Sequence, residues 1–488
     1  MKFHKEFVLI ALYIIIIAPL FYFGVPFDNS SPDIYYVKGK VLQVLDGGLF
    51  ADPVSGYPSM HPPIYHLLLA IMVIIGLSIN TSLMIISSLI VAGIFYFSYK
   101  VLVTAFDKDT AFWTVLALPF IIEFMGCRNI LLATSFYFSI PFYLAGLWLY
   151  LQSSGSDRFS AWAALLWGLA FIISPVYVFL LAFTFLLDLI KKDYRRFFLM
   201  TAIFGICIIP FIIQAGYIYY KGLWGTEAFA LWRGFPDGRW FYKFFLEFVS
   251  PSVRDLVNLY ANIHIFILLG AIIIAIKSHK FHWYLLLTLI AYGFTYYHFS
   301  GQYAIRIHLY FSLFLIAFMI DYLKKLSLNR WLWVAPTILI SLTGLFYGSY
   351  KAYIVMNHER EIYEQFAFAG EGLWNNLDRH LTDGEFIFCP KATFFQYIMS
   401  HKSVHGLSAY KTLEYYQLNS ELARELESDY ELFITSEDYQ VLEDLSQKYN
   451  IRSAVFNRNH IFMPPFVILK NEWYAVFQDD YFVILRKP

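Results

Sequence analysis

PDIYYVKGKVLQVLDGGLFADPVSGYPSMHPPIYH, residues Pro32 to His66, is the first long polar interruption in a very apolar chain. An apolar run from Val8 to Val25 precedes it, behind the basic start MKFHKEF. That run resembles a signal sequence. No small-x-small cleavage site follows and Pro26 comes at once, so it reads as an uncleaved first membrane helix over about 7–25. Lys2 and Lys5 then place the N-terminus in the cytoplasm, and the loop 27–62 emerges on the outer side. After the loop, His61-Pro62-Pro63 leads stiffly into the next apolar run.

Outward from that loop the chain is hydrocarbon-spanning scaffold. Of its 488 residues 59% are hydrophobic and 15% charged, which excludes an ordinary soluble multidomain protein. Apolar segments follow at about 64–79, 82–99, 110–126, 130–151, 159–173, 175–190, 197–218, 259–276, 281–297, 303–323 and 331–352. Most are near the ~20 residues that cross a bilayer core. The net charge of zero gives no case for a nucleic-acid partner. Three cysteines, Cys127, Cys207 and Cys389, sit in no zinc-like spacing and suggest no disulfide framework.

Charge sets the topology. Basic residues cluster at Lys100/Lys108, Arg158, Lys191/Lys192/Arg195/Arg196, Lys277/Lys280 and Lys324/Lys325/Arg330, all expected on the cytoplasmic side. They alternate correctly if every segment from 82 onward crosses once and 64–79 does not, so 64–79 reads as a re-entrant or tilted interfacial helix. In the competing arrangement 64–79 crosses and 159–190 is one broken span, which leaves Lys100 and Lys108 outside. The favoured topology gathers on the outer face the loop 27–62, the turn at Arg128, the Ser174-Pro175 break, the loop 219–258, the turn 297–303 and all that follows about residue 353.

Composition shifts near Met356. Residues 1–355 form the membrane domain, and 356–488 carry dense charge and read as an extracytoplasmic α/β domain of about 130 residues. Strand patterns fall at Glu385–Cys389, Tyr430–Thr435, Ser453–Phe456, and a hairpin pair Trp473–Phe477 and Tyr481–Leu485. Helical patterns cover 358–380, Leu413–Glu427 and Glu437–Lys448. The fold class is therefore an α-helical polytopic membrane protein of about 11–12 segments with a small C-terminal α/β domain.

Within the loop, Asp33 follows Pro32. It reads either as the cap of a helix over about Ile34–Leu45 or as a carboxylate able to take a proton from a hydroxyl at the membrane surface. Asp46 before Gly47-Gly48 marks a helix stop, and Asp52 before Pro53 an ordinary turn. Tyr36, Tyr57, His61 and Tyr65 read as ligand contacts or as interfacial anchors and caps. Arg128 interrupts an apolar stretch relieved only by Glu123. Tyr303, Arg306 and His308 open another. Cations at membrane depth are costly without anionic partners, so Arg128 and Arg306 are candidate phosphate ligands, Arg128 also reading as one half of a pair with Glu123. The loop 219–258, with Trp224, Trp232, Trp240 and Arg233, reads as an interfacial amphipathic helix or a lid.

Asp33-x-Tyr, an amphipathic stretch ending in Gly, Tyr57-Pro58, and His61-Pro62-Pro63-x-Tyr65 leading into an apolar helix together resemble the first outer loop of GT-C glycosyltransferases. The likeness is to the protein mannosyltransferase, aminoarabinose transferase and RgtA/B/C/D-like group. The resemblance implies a sugar donor linked to polyprenyl phosphate, a glycan, lipid or protein acceptor, and Asp33 as catalytic base. Ile34 stands where that group commonly has Glu, and Gly126 is followed by Cys127-Arg128-Asn129 rather than a second acid. That favours a single-base inverting mechanism. No metal ligands are assigned, a divalent metal staying open as cofactor.

Two other classes compete. A secondary transporter requires repeat symmetry and broken midplane helices, which the sequence lacks. A polysaccharide ligase or scaffold would place its basic residues in late outer loops and have no need of Asp33.

Overall fold

The computed structural model describes residues 5–23, 32–50, 63–120, 135–153, 156–174, 178–220, 301–326, 331–342, 376–390, 404–407, 420–457, 460–480 and 482–488, with a few isolated positions between them. The chain divides into two compact units. One comprises Met1–Val25, Leu83–Phe211 and Trp232–Ile354. The other comprises Pro26–Ser82, Ile212–Leu231 and Val355–Pro488.

The first unit is helical. Helix α1 spans Lys5–Phe23. After helices α2 and α3, considered below, come α4 (Ile79–Ala105), α5 (Lys108–Ala117), α6 (Ser135–Gln152), α7 (Asp157–Ile173), α8 (Val178–Ile190), α9 (Tyr194–Tyr220), α10 (Gly301–Lys325) and α11 (Trp331–Leu342). Among the described residues, Ile79–Ala105 and Tyr194–Tyr217 are long and apolar enough to cross a membrane by length and composition. The Tyr13 hydroxyl of α1 donates to the Ser88 carbonyl of α4 at 3.2 Å.

Small residues let these helices approach closely. A Cβ on Gly93 would meet Pro141 at 2.8 Å, and one on Gly168 would meet the Cys207 Cβ at 2.4 Å. Apolar helices in lipid gain little from hydrophobic burial against one another, so close backbone packing carries their association. Buried hydroxyls satisfy themselves on the preceding turn: Ser88 bonds the Met84 carbonyl, Thr114 that of Thr110 and Thr184 that of Leu180.

Polar contacts gather the basic turns at one end of this unit. Asp107 caps α5 by accepting from the amides of Asp109 and Thr110, and it also accepts from Lys324 Nζ at the end of α10 at 2.8 Å. Arg195, at the start of α9, pairs with Asp157 at the start of α7. Arg196 pairs with Asp188 at the end of α8 (3.4 Å), donates to the Tyr150 carbonyl at the end of α6 (3.0 Å) and stacks on the Tyr150 ring (3.8 Å). Lys100 lies over the rings of Tyr96 and Trp148. The start of α7 and the end of α8 thus share an end, so the two helices run antiparallel. They are a hairpin, not one broken span, and the basic residues Arg158 and Lys191 to Arg196 lie at one end of it.

The C-terminal residues fold as an α/β domain. A five-stranded sheet has the order β2-β1-β3-β5-β4, built from β1 (Glu385–Phe388), β2 (Val404–Gly406), β3 (Ser453–Asn457), β4 (Tyr474–Gln478) and β5 (Phe482–Arg486). β1 is parallel to β2 and β3, while β5 is antiparallel to β3 and β4. The hairpin turn is set by Asp479, which accepts from the Phe482 amide at 2.6 Å. Helices α12 (Ser420–Thr435), α13 (Tyr439–Lys448) and α14 (Pro464–Glu472) pack on the sheet.

Two sequence expectations change here. Tyr430–Thr435 is not a strand but the end of α12, which continues past the Glu427 at which the helical pattern was expected to end, while 413–419 lie outside the described residues. Leu426, Tyr430 and Phe433 are buried at helical spacing, and Phe433 stacks on Phe388 of β1 with ring centres 4.4 Å apart. Strand β2 and helix α14 were not expected. The strands around 385, 453, 474 and 482 lie where their patterns placed them. Most of the helix expected over 358–380 falls outside the described residues, with 376–380 helical.

Candidate active site

The stretch after α1 begins as helix α2, Pro32–Leu45. Pro32 opens it because the first helical amide has no partner to lose and the fixed φ of proline is already helical. Asp33 therefore stands inside the first turn and is not the cap of a helix starting at Ile34.

The helix stops in a Schellman motif. Gly47 takes a φ of +89°, its amide reaches the Val44 carbonyl at 3.1 Å, and the Gly48 amide reaches the Gln43 carbonyl at 2.8 Å. The helix-stop reading of Asp46-Gly47-Gly48 is thereby explained. One turn before the stop, Lys40 is fully buried and its Nζ donates to the Leu49 carbonyl at 3.1 Å. Lys40 ties the chain beyond the turn back onto the helix.

Helix α3, Ile64–Ile74, starts directly after Pro63 and packs against α2. Its 11 residues rise about 16 Å, roughly half the thickness of a hydrocarbon core. A second Schellman turn ends it at Gly76 (φ +102°), and Ser78 then caps α4 by accepting from the Thr81 amide at 3.0 Å. One side of α3 buries Tyr65, His66, Leu69 and Ala70, while Leu67, Ile71, Ile74 and Ile75 are exposed. The exposed apolar face fits the interfacial helix expected from the sequence.

The candidate residues divide between the two units. Asp33, Tyr36 and Tyr65 belong to the unit that also holds the α/β domain. Tyr65 is fully buried with its ring edge-on to His66, 5.2 Å between centres. Tyr36 is half-buried and packs against the core of the α/β domain. Tyr303, Arg306 and His308 stand in the first turns of α10 in the helical unit, with Tyr303 and Arg306 one turn apart. Tyr57, His61, Arg128, Glu123 and the loop from 221 to 258 lie outside the described residues.

Sequence reasoning missed the buried polar side of α2. Gln43 is nearly as hidden as Lys40, at 5% exposure, and Lys38, on the opposite side of the helix, is buried too, at 4%. The signal was present: Tyr36, Lys40 and Gln43 recur at the four-then-three spacing of a helical stripe. Among the described residues no group of three His, Cys, Asp or Glu side chains is placed to hold a metal ion. Ile34, next to Asp33, offers no ligand.

No protein-family model matches the chain, and no curated protein matches it by sequence. Solved structures do. ArnT from Cupriavidus metallidurans bound to undecaprenyl phosphate superposes with a TM-score of 0.61 at 13% identity, over 99% of this chain and 98% of that one. The same protein in the apo state gives 0.56 at 14% identity, over 92% of each chain. The apo oligosaccharyltransferase from Archaeoglobus fulgidus gives 0.52 at 13% identity, over 97% of this chain and 73% of that one. Similarity that covers nearly the whole of this chain establishes the architecture: this chain shares the fold of ArnT and of the oligosaccharyltransferase, mostly helical with a small C-terminal sheet.

Proposed function

We propose that this protein is a membrane glycosyltransferase that moves a hexose or pentose from a polyprenyl-phosphate donor to a glycan, lipid or protein acceptor on the extracytoplasmic side. Asp33 is the base. It takes the proton of the acceptor hydroxyl as that oxygen attacks the anomeric carbon, and the polyprenyl phosphate leaves from the opposite face with inversion. Arg128 and Arg306 hold the phosphate and stabilise the charge it gains, with His308 and Tyr303 beside Arg306. Tyr57 and His61 line the approach from the loop. The mechanism is routed through no metal.

The observation that supports this reading most is the position of Asp33, in the first turn of a tethered loop helix, in a chain with the fold of ArnT. The titled ligand of the ArnT structure, undecaprenyl phosphate, has the chemistry of the leaving group proposed here. The boundaries proposed are a membrane domain over 1–355, including the loop 27–62, and an extracytoplasmic domain over 356–488, with a cytoplasmic N-terminus.

The test is a glycan profile of membranes carrying the wild-type protein or Asp33→Asn at equal abundance. The proposal expects the product glycan to vanish in the variant. An unchanged profile sinks the assignment of Asp33.

A further inference from the structure

We infer that the C-terminal α/β domain serves as the support that positions the Asp33 helix, and that Tyr36 is the positioning residue through which it acts. The inference rests on the reading of Asp33 as base. It gives the domain a role in the reaction although it carries none of the reacting groups.

Tyr36 lies three residues after Asp33, within one turn of α2. It packs against the α/β domain core, the cluster that includes Phe388, Phe433, Val455 and Ile484. More than three hundred residues of sequence separate the two partners, yet both fall in one compact unit.

The burial pattern of α2 shows how firmly it is held. At about 100° per residue, Tyr36, Lys40 and Gln43 fall within an arc of roughly 60°. Lys40 and Gln43 on that stripe are buried at 0% and 5% exposure. Val37 and Val41 form a second stripe, about 100° away, and are buried at 4% and 0%. A 14-residue loop helix on a membrane surface would ordinarily bury one face. α2 is buried all round over residues 37–41, and one of its stripes carries the side chain that reaches the domain core. Helix α3 also packs on it, and the Lys40–Leu49 bond and the Gly47 turn fix its far end. A base must be held within a fraction of an ångström of its productive position to be effective. Of these attachments, the one nearest Asp33 is Tyr36 on the C-terminal domain.

Tyr36 packs against this core as a partly buried hydrophobic side chain, a contact that a ring without its hydroxyl can also make. Tyr36→Phe keeps the ring and Tyr36→Ala removes it. The experiment uses the full-length protein in nanodiscs, with amide hydrogen exchange read over peptides covering 32–45 and 420–457 and with undecaprenyl phosphate as binding probe. In Tyr36→Ala, exchange over 32–45 should speed up at least tenfold while 420–457 stays as in the wild type, and glycan transfer in membranes should fall at least tenfold. Tyr36→Phe should restore the protection of 32–45. Unchanged exchange over 32–45 in Tyr36→Ala overturns the inference. So does a Tyr36→Phe variant that loses undecaprenyl phosphate binding as badly as Tyr36→Ala, because the hydroxyl would then be a ligand. Asp33→Asn separates the two proposals: it should abolish transfer without changing exchange over 32–45. If Asp33→Asn stays active the base assignment falls, and the exchange data still judge the docking.

Discussion

Gly168 on α7 packs closely against Cys207 on α9, and the contact yields a sharp prediction. A Cβ at position 168 would lie 2.4 Å from the Cys207 Cβ and 3.0 Å from its Sγ. Carbon atoms rest at about 3.5–4.0 Å, so Gly168→Ala forces α7 and α9 apart by about 1 Å or more. Turning the thiol away does not help, because the tighter clash is with a Cβ fixed to the α9 backbone. Separation also loosens the neighbouring edge-to-face contacts of Phe171 with Phe204 (5.5 Å) and Phe211 (5.4 Å). Overpacking of this kind costs about 1–3 kcal/mol. Replacing a helical glycine with alanine returns up to about 1 kcal/mol, leaving a net loss of about 1–2 kcal/mol. Cys207→Ala keeps the Cβ and should not rescue the variant. Cys207→Gly removes it, so in that background Gly168→Ala should be neutral or stabilising. The assay is a double-mutant cycle of unfolding in detergent, followed by tryptophan fluorescence, with a coupling of at least about 1 kcal/mol expected. Equal cost of Gly168→Ala in both backgrounds would refute the packing argument.

Other predictions follow from the polar contacts. Asp188 is buried beneath the Tyr150 hydroxyl (2.7 Å) and pairs with the half-buried Arg196, so Asp188→Ala should cost about 1.5–3 kcal/mol by removing hydrogen bonds to a charged group. Adding Arg196→Leu should recover part of that loss in the same unfolding assay. In the α/β domain, the Lys487 ammonium bonded to Glu443 at 2.6 Å holds its carboxyl below the usual carboxylate range. A depressed folded value means that the stabilisation is complete above the unfolded pKa of about 4.3 and is lost as pH falls through the folded value. Hydrogen exchange over 439–457 should therefore accelerate on acidification below pH ~4 in the wild type, with a smaller acid-dependent change in Glu443→Gln.

Much of this architecture was legible because bilayer physics writes it plainly. Among the described residues the apolar runs fall on helices, and the basic turns Lys100/Lys108, Arg158, Lys191–Arg196 and Lys324/Lys325 fall at helix ends. The structure ties those turns to Asp107, Asp157 and Asp188, pairings between residues far apart in the chain. The α/β domain was harder. Tyr430–Thr435 is short, apolar and aromatic, and such a run does not distinguish strand from helix. Its membership in α12 is decided by the tertiary contact of Phe433 with Phe388. Pro464-Pro465 opens α14 at the one place in a helix where proline is favoured, and nothing local marks it as an opening rather than a break. In the candidate site, Asp33 was found by position and residue type. That Tyr36 faces the C-terminal domain was invisible, because no local pattern reports a contact across most of the chain.

The account turns on Asp33 as the proton acceptor of a polyprenyl-phosphate-dependent glycosyl transfer. The most direct measurement compares wild type and Asp33→Asn as purified full-length proteins in nanodiscs, recording the rate of sugar transfer and the affinity for undecaprenyl phosphate. Loss of a general base predicts a rate about 10²–10⁴-fold lower with affinity unchanged within a factor of about 2. A variant that transfers sugar at the wild-type rate, or that loses undecaprenyl phosphate binding in proportion to its rate, contradicts the account.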